Sequence, residues 1–332
     1  MAGRPPQFVS DAPRSPLRIV FMGTPALAAH ILERLLTAPH PNFTIVAVVT
    51  RPDQPRKRGL KLEPSEVAAV ATRHNLPTLK PAKIRTAEFL ADLKSLDADL
   101  LAIAAYGRIL PNPVLAAPRL MPINVHTSLL PRHRGASPVE GAILAGDAET
   151  GVTIMHVTEQ MDAGPILLQR SIPIAPDDTQ GSLKDKLANL GADALLEAFG
   201  LLPSGALHET PQDANAATYT SPITREHSAI DWHDDAVRIE RMTRAYDPWP
   251  VARTTLSGED LLVWRARVMD DSPAAADAAS GTIVALTPAP IVKCGAGMLA
   301  LVELQAAGRR RMPAADFIRG RRVRVGTRLG AE

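Results

Sequence analysis

The sequence predicts an α/β protein, a Rossmann-like parallel sheet followed by a small β-rich domain. Three observations carry that expectation. Leu17-Arg-Ile-Val-Phe-Met22, apolar but for Arg18, reads as a buried strand that ends at Gly23. A helical pattern follows, then a second run rich in β-branched residues, Phe43–Val49. Strand, helix and strand in succession imply parallel pairing, because a parallel return needs a crossover that a helix fills. After Pro203-Ser-Gly205 the pattern changes to short strand-like runs with turns between them, which suits a compact β domain.

Residues 1–16 hold Arg4, Asp11, Arg14 and four prolines without a continuous apolar stretch. They read as a flexible N-terminal tail and not as a secretory signal. Thr24 and Pro25 suit a helix start, Thr24 as the cap and Pro25 as the first helical residue, with the helix running through Leu36. Residues 51–65 contain Pro52, Pro55, Gly59 and Pro64. They predict an exposed loop, longer than the usual strand-to-helix connection of about 2–6 residues. Helices are expected over 65–74 and 87–96, and strands over 98–104 and 123–126. A Pro- and Arg-rich loop spans 127–135, and a helix covers 138–145. Strands over 152–158 and 166–173 join across the 161–164 turn, and a long helix covers 183–202. Domain boundaries follow: a first domain over 17–203, a linker of small polar residues over 204–217, and a second domain over 218–332. In the second, a helix is expected near 236–245, strands over 261–267, 281–284 and 298–304, and a loop over the Ala-rich run 273–280.

The chain has 332 residues, room for roughly two domains at about 150 residues each. Apolar residues make up 45% and charged residues 22%, ordinary for a soluble globular protein. No apolar run approaches the roughly 20 residues that span a bilayer, so no membrane partner is expected. The single cysteine, Cys294, forms no intramolecular disulfide and no thiolate metal cage alone. It suits a reducing compartment, here the cytoplasm, and reads as a small half-buried apolar residue. The formal net charge is only +2, but the cations are clustered. Arg51, Arg56, Lys57, Arg58 and Lys61 lie close together, and Arg309, Arg310 and Arg311 open a second run that ends near Arg328. Two basic clusters on a near-neutral chain suit contacts with a polyanion, though charge alone fits two solvated faces equally well.

Asn124 and His126 are two apart on an expected strand, so their side chains share one face. In open parallel sheets ligands bind at the carboxyl ends of strands. An amide donor and an imidazole there suit acyl transfer to an amine. The amide stabilises the oxygen that gains charge, and the imidazole handles the proton. Asp162, on the turn between two strands, is the carboxylate that would orient the imidazole. As bare spacing the same residues are also ordinary turn formers. The amine is itself the nucleophile, so no metal and no enzyme nucleophile is required. The nearest metal-like spacings are poor. His156 and Glu159 should face opposite sides of a strand, and His30 and Glu33 read as a solvated helix face.

A longer pattern narrows the choice. Ile123-Asn-Val-His-Thr-Ser-Leu-Leu-Pro-Arg-His-Arg-Gly-Ala-Ser-Pro138, then Gly151-Val-Thr-Ile-Met155 and Met161-Asp-Ala-Gly-Pro165, closely resembles the folate-dependent formyltransferase family. The resemblance implies Asn124, His126 and Asp162 as the catalytic set and 10-formyltetrahydrofolate as the formyl donor. It puts Ser128, Leu129, Leu130 and Pro131 in the folate site. It adds Tyr106-Gly107-Arg108-Ile109-Leu110 as the other folate-facing segment, and a loop from Val157 to Asp162 that closes over the pterin ring. Phe21-Met-Gly-Thr-Pro25 and the basic segment Arg51–Ser65 are similar to members that formylate initiator methionyl-tRNA. So are Ile230-Asp-Trp232 and Arg244-Ala-Tyr-Asp-Pro-Trp-Pro250. In those members the basic segment contacts the acceptor end of the tRNA, which singles out Arg58. The resemblance spans about residues 17–328 and implies a monomer whose C-terminal domain is an OB-like barrel. Two positions depart from the family pattern: His133 stands where Tyr or Trp is expected, and Glu140 where Gln is usual. Sugar-nucleotide formylation, formyl-folate hydrolysis, dinucleotide-dependent oxidoreduction and plain RNA binding are the competing readings. The dinucleotide reading lacks the G-x-G-x-x-G that pyrophosphate approach needs.

Overall fold

The computed structural model describes residues 15–39, 42–56, 61–270, 277–321 and 323–330. The expected N-terminal tail lies almost wholly outside the described residues, as do Lys57, Arg58 and half of the 273–280 loop. The chain forms two compact units that interleave along the sequence. The first comprises Met1–Gly135, Thr150–Ile172 and Lys184–Tyr219; the second comprises Ala136–Glu149, Pro173–Leu183 and Thr220–Glu332.

The first unit is built on strands β1 (Leu17–Gly23), β2 (Phe43–Val49), β5 (Thr78–Leu79), β6 (Leu100–Ala104), β7 (Met121–His126), β9 (Glu149–His156) and β10 (Ile166–Pro173). They form one sheet in the order β10-β9-β7-β6-β1-β2-β5. The five strands from β7 to β5 run parallel, and β9 returns antiparallel to β7. Leu17 and Ile19 to Met22 of β1 are fully buried, the continuous apolar pattern of a strand covered on both faces. From β1 the chain moves outward to β2 and β5, then returns to β6 and moves the other way to β7. The order therefore reverses at β1 and β6, the point where open α/β sheets hold ligands. Two short strands, β8 (Arg134–Gly135) and β11 (Tyr219–Thr220), pair apart from this sheet.

Helix α1 (Ala26–Thr37) buries Ala28, Ala29, Ile31, Leu32 and Leu35, a stripe at helical spacing. Its start differs from the sequence expectation by one residue. Pro25 is the cap and supplies no side-chain bond, while the Thr24 hydroxyl donates instead to the Tyr106 carbonyl (3.2 Å). Gly23 explains the tight entry: a Cβ there would lie 2.7 Å from the Ala28 Cβ and 2.9 Å from the Ala104 carbonyl oxygen. The expected solvated face at His30 and Glu33 is instead engaged. His30 Nε2 meets Asn189 Oδ1 (2.9 Å), and Glu33 accepts from Arg73 (2.6 Å) and His74 (2.8 Å). Helix α2 (Glu66–Arg73) has Ser65 as its cap, accepting from the Ala68 amide. Thr86 caps α3 (Ala87–Ser95) in the same way, through the Phe89 amide. The short α4 (Asn112–Leu115), then α5 (Pro138–Ala145) and the long α6 (Gln180–Leu201), complete the helices up to residue 201.

The basic segment 51–65 is not a plain loop. Strands β3 (Gln54–Arg56) and β4 (Lys61–Glu63) pair antiparallel, Gln54 opposite Glu63 and Arg56 opposite Lys61. Main-chain bonds alone make this ladder, so neither the prolines nor the charges prevent it.

The second unit carries an antiparallel sheet of β12 (Ala252–Leu256), β13 (Glu259–Met269), β14 (Ile283–Ala285), β15 (Ile291–Lys293), β16 (Met298–Ala306) and β17 (Met312–Pro313). Its order is β12-β13-β16-β15-β14, with β17 on β16. The C-terminal segment touches both edges: Leu256 bridges Leu329 and Thr282 bridges Arg328. The sheet is thus drawn round on itself through residues 327–330. Trp232, Ile239, Val263, Leu299, Leu301 and Phe317 fill its core, with the Trp232 indole donating to Thr254 Oγ1 (2.9 Å). Helix α7 (Ala236–Ala245) is capped by Asp235, and α8 (Ala314–Arg321) anchors through Ala314 and Phe317. Cys294 is fully buried, not half-buried.

Candidate active site

Strand β7 carries Asn124 and His126 at its carboxyl end. Its neighbours are β6 and β9, so both edges are paired and its side chains are confined to two faces. Alternation puts Pro122, Asn124 and His126 on the same face. Asn124 is partly exposed, whereas His126 is 5% exposed.

His126 Nε2 lies 2.9 Å from the His133 carbonyl oxygen. A carbonyl only accepts, so Nε2 carries the hydrogen and Nδ1 is left with its lone pair. Nδ1 stands 3.7 Å from Asp162 Oδ2, too long for a hydrogen bond but close enough for a strong charge interaction once the ring is protonated. Asp162 Oδ2 itself accepts from the Gly135 amide (2.8 Å). Burial pushes the His126 imidazole below its ordinary range. The Asp162 carboxylate and the His133 carbonyl oppose that shift, while the charge of the His133 ring adds to it. The result is a neutral ring with one open nitrogen facing a carboxylate: a base ready to accept a proton, with a partner that stabilises the cation formed.

Two of the residues that hold this pair have left-handed backbone. His133 has φ 57° and Asp162 has φ 51°, a region uncommon outside glycine. Each sits at the apex of a sharp turn, and the turns bring Gly135 and Asp162 together although they are 27 residues apart in sequence.

A cleft of ≈ 670 Å³ runs along the Val157–Pro165 loop, within the range of small-molecule sites; Asn124, His126 and Asp162 are not among the residues that line it. Pro122, two residues before Asn124, is in its wall with Leu115 and His156. Val157–Gln160 and Ala163–Pro165 supply the rest of one side, so the Val157–Asp162 loop does border a cavity. His156 is not paired with Glu159; its Nδ1 meets Glu209 Oε1 at 2.6 Å. Gly164 is where the loop crosses its own strand. A Cβ there would collide with the His156 carbonyl oxygen and lie 3.2 Å from the Met155 methyl.

The other sequence-derived candidates differ in what they contact. Tyr106 is buried at 2% exposure, and its hydroxyl has no hydrogen-bond partner among the described residues. Burial pushes its phenol upward. Leu110 is buried, while Ile109 is 73% exposed, as an apolar group awaiting a contact would be. Arg108 spends Nη1 on the Pro81 and Ala82 carbonyls (3.1 and 3.0 Å). In the Ser128–Pro131 segment the polar groups are used internally. Ser128 Oγ donates to the Arg132 carbonyl (2.6 Å), and Leu130 is held at both its amide and its carbonyl by Thr153 and Gln169. Arg51 folds onto the Tyr106–Leu110 segment, donating to the Gly107 carbonyl. Arg56 and Lys61 face each other across the hairpin backbone. Arg309 and Arg310 are exposed, but Arg311 is engaged: Nε meets Glu303 Oε2 (2.7 Å), Nη1 lies 3.5 Å from Asp247 Oδ2, and its guanidinium stacks on Trp264 at 4.7 Å. At the two departures from the family pattern the contacts differ in kind: one is main chain, which any residue would supply, and one is side chain. The His133 main chain holds His126, and Glu140 accepts from Gln180 Nε2 (2.7 Å).

Known proteins bear out this architecture. Residues 17–199 match the formyl transferase model, and residues 222–322 match the formyl transferase C-terminal domain. The chain belongs to the formyl transferase family. Within the family it is similar over its length to a methionyl-tRNA formyltransferase of Roseiflexus sp. (strain RS-1). The two are 48% identical over 95% of this chain and 96% of the relative. A methionyl-tRNA formyltransferase of Methylococcus capsulatus is 46% identical over 95% of this chain and all of the relative, 100%. Among solved structures, the N-formyltransferase of Helicobacter canadensis, in complex with folinic acid and dTDP-3-aminofucose, has the same fold. Its TM-score is 0.63 at 17% identity, over 87% of this chain and 99% of that one. The protein is therefore an enzyme of the formyl transferase family, with the α/β catalytic fold and the antiparallel β domain that the sequence leads us to expect.

Proposed function

We propose that this enzyme transfers the formyl group of 10-formyltetrahydrofolate to the α-amino group of methionine on initiator tRNA. The observation that carries the chemistry is the buried His126, with Nε2 on the His133 carbonyl and Nδ1 3.7 Å from Asp162. The acceptor class rests on likeness to methionyl-tRNA formyltransferases along nearly the whole chain.

In this reading the folate is held by the Tyr106–Leu110 and Ser128–Pro131 segments, the Val157–Asp162 loop closes over its pterin ring, and its formyl carbon lies beside Asn124. The methionine amine attacks that carbon, and a new C–N bond forms. The formyl oxygen gains negative charge and takes a hydrogen bond from the Asn124 amide. The amine proton passes to His126 Nδ1, where the Asp162 carboxylate stabilises the imidazolium. Collapse breaks the bond from the formyl carbon to N10 of the folate, and the proton goes to that nitrogen. No enzyme atom becomes acylated, because the amine is already a nucleophile. Residues 17–203 act as the catalytic domain and 218–332 as the tRNA-gripping domain. The basic segment from Arg51 to Lys61 guides the acceptor end. The enzyme works as a cytoplasmic monomer without a metal.

The test is to mix the protein with 10-formyltetrahydrofolate labelled in the formyl group and with charged initiator tRNA. Label is expected in the methionyl ester at a rate that exceeds loss to water. Transfer to an amino-sugar nucleotide, or release as formate with none on the tRNA, would overturn the proposal.

A further inference from the structure

Gln212 lies in the stretch that composition reads as a linker, yet all of its amide is used. Its Nε2 donates to the carbonyls of Asp162 (2.9 Å) and Gly164 (2.7 Å). Its Oε1 accepts from Arg134 Nε (3.0 Å) and Nη2 (2.7 Å). Arg134 is itself buried, at 5% exposure. Six residues on, Thr218 grips the other loop. Its Oγ1 accepts from the His133 amide (2.8 Å), and its carbonyl accepts from the Arg134 amide (2.8 Å). Before Gln212, Glu209 holds His156 in the cleft wall (2.6 Å), and Thr210 bridges Ile166 with bonds in both directions, 2.8 Å each. One short segment therefore fastens the loop that carries Asp162, the loop whose His133 carbonyl holds His126, and His156 in the cleft wall.

We propose that residues 209–218 are a strap that sets the spacing of His126 and Asp162, with Gln212 as a positioning residue for formyl transfer. The proposal rests on the reading of His126 and Asp162 as the acid–base pair. Its physical basis is the strained turn. Asp162 sits at φ 51°, a conformation that persists only where the surroundings over-determine it. Gln212 fixes two carbonyls of that turn at once, and the buried Arg134 fork fixes the Gln212 amide. Without those bonds the turn is free to relax and take the carboxylate with it. A shift of about 1 Å in a reacting group costs on the order of 10²-fold in rate.

The experiment uses the full chain with Gln212→Ala and Gln212→Glu. The second variant keeps an acceptor for Arg134 and so keeps that side packed, but it cannot donate to the Asp162 and Gly164 carbonyls. In both, kcat for methionyl-tRNA formylation is expected to fall about 10–100-fold, with KM for the tRNA changed by less than about twofold. NMR titration of the His126 ring provides a readout that loss of packing alone would not move. Its midpoint is expected at lower pH in both variants, because the carboxylate that favours the protonated ring is no longer held beside Nδ1. A kcat within about twofold of wild type in Gln212→Glu overturns the strap. A slower enzyme with an unmoved His126 titration overturns it too. Asp162→Asn separates the two levels. Full activity there removes the acid–base reading itself, whereas an inactive Asp162→Asn beside fully active Gln212 variants removes the strap alone.

Discussion

His126 and Asp162 do not bond each other; both are bonded to the same short loop. Nε2 of the histidine meets the His133 carbonyl at 2.9 Å, and Oδ2 of the aspartate meets the Gly135 amide at 2.8 Å, which leaves 3.7 Å between Nδ1 and Oδ2. The loop 133–135 is thus a common reference for both halves of the pair. Its main chain supplies one acceptor and one donor two residues apart, so neither side chain has to find the other.

The first consequence concerns the charge of His126. Burial holds the ring below the ordinary imidazole range, and Asp162 pulls it back up. The sign follows: the ring is neutral at pH 7 and becomes charged only as pH falls through its lowered value. NMR titration should place its midpoint below about 6.5, the unperturbed value. His126→Ala should reduce single-turnover formylation by roughly 10²–10⁴-fold. A midpoint above the unperturbed value, or a fast alanine variant, would assign proton transfer to another group.

Asn124 supplies a second, separable prediction. It shares the β7 face with His126, and no bond to a described residue occupies its amide. Asn124→Ala should lower the single-turnover rate by about 10²–10³-fold, the usual effect of removing one oxyanion donor. Folate affinity should hold, because the missing bond matters only when charge develops. An equal loss in affinity and none in rate would make Asn124 a binding residue instead.

How far the sequence reveals this site depends on what holds each part together. Strand β1 is legible because burial on both faces leaves an unbroken apolar run, Ile19 to Met22. Asn124 and His126 are legible as neighbours because strand alternation is a fixed rule. The strap is not. Gln212 and Thr218 act through hydrogen bonds to main-chain atoms of distant loops, and such bonds leave no period in the sequence. Strand β12 escapes the pattern for a related reason. Its buried alternate positions are Ala252, Thr254 and Leu256, and the buried threonine reads as polar. Helix α8 is hidden behind its arginines, with Ala314 and Phe317 as its buried anchors.

Gly164 tests the crossing that shapes the cleft. A Cβ at this position would overlap the His156 carbonyl oxygen, which is main chain and cannot rotate away. Gly164→Ala should therefore push the Val157–Pro165 loop outward and destabilise the fold by about 1–3 kcal/mol, the usual cost of overpacking. Thermal unfolding and the KM for formyl folate should both respond, the first falling and the second rising. Wild-type values for both would mean that the loop neither crosses its strand tightly nor shapes folate binding.

The C-terminal arginines should divide into two classes. Arg309 and Arg310 are exposed and free to meet phosphates. Arg311 is tied to Glu303 and Asp247 and stacked on Trp264. Every phosphate that a cation neutralises in the complex adds roughly 0.7–0.9 to the salt slope of tRNA binding. The double variant Arg309→Ala with Arg310→Ala should therefore flatten the slope by about 1.5, with the thermal midpoint unchanged. Arg311→Ala should do the reverse. It leaves the slope nearly intact but lowers the midpoint, because it strips the partner from Asp247, whose carboxyl burial already pushes upward. If all three variants flatten the slope alike, the Arg311 cluster opens to take a phosphate when tRNA binds. If none does, this end of the β domain lies outside the tRNA interface, and the basic segment near Arg51 carries the electrostatics alone.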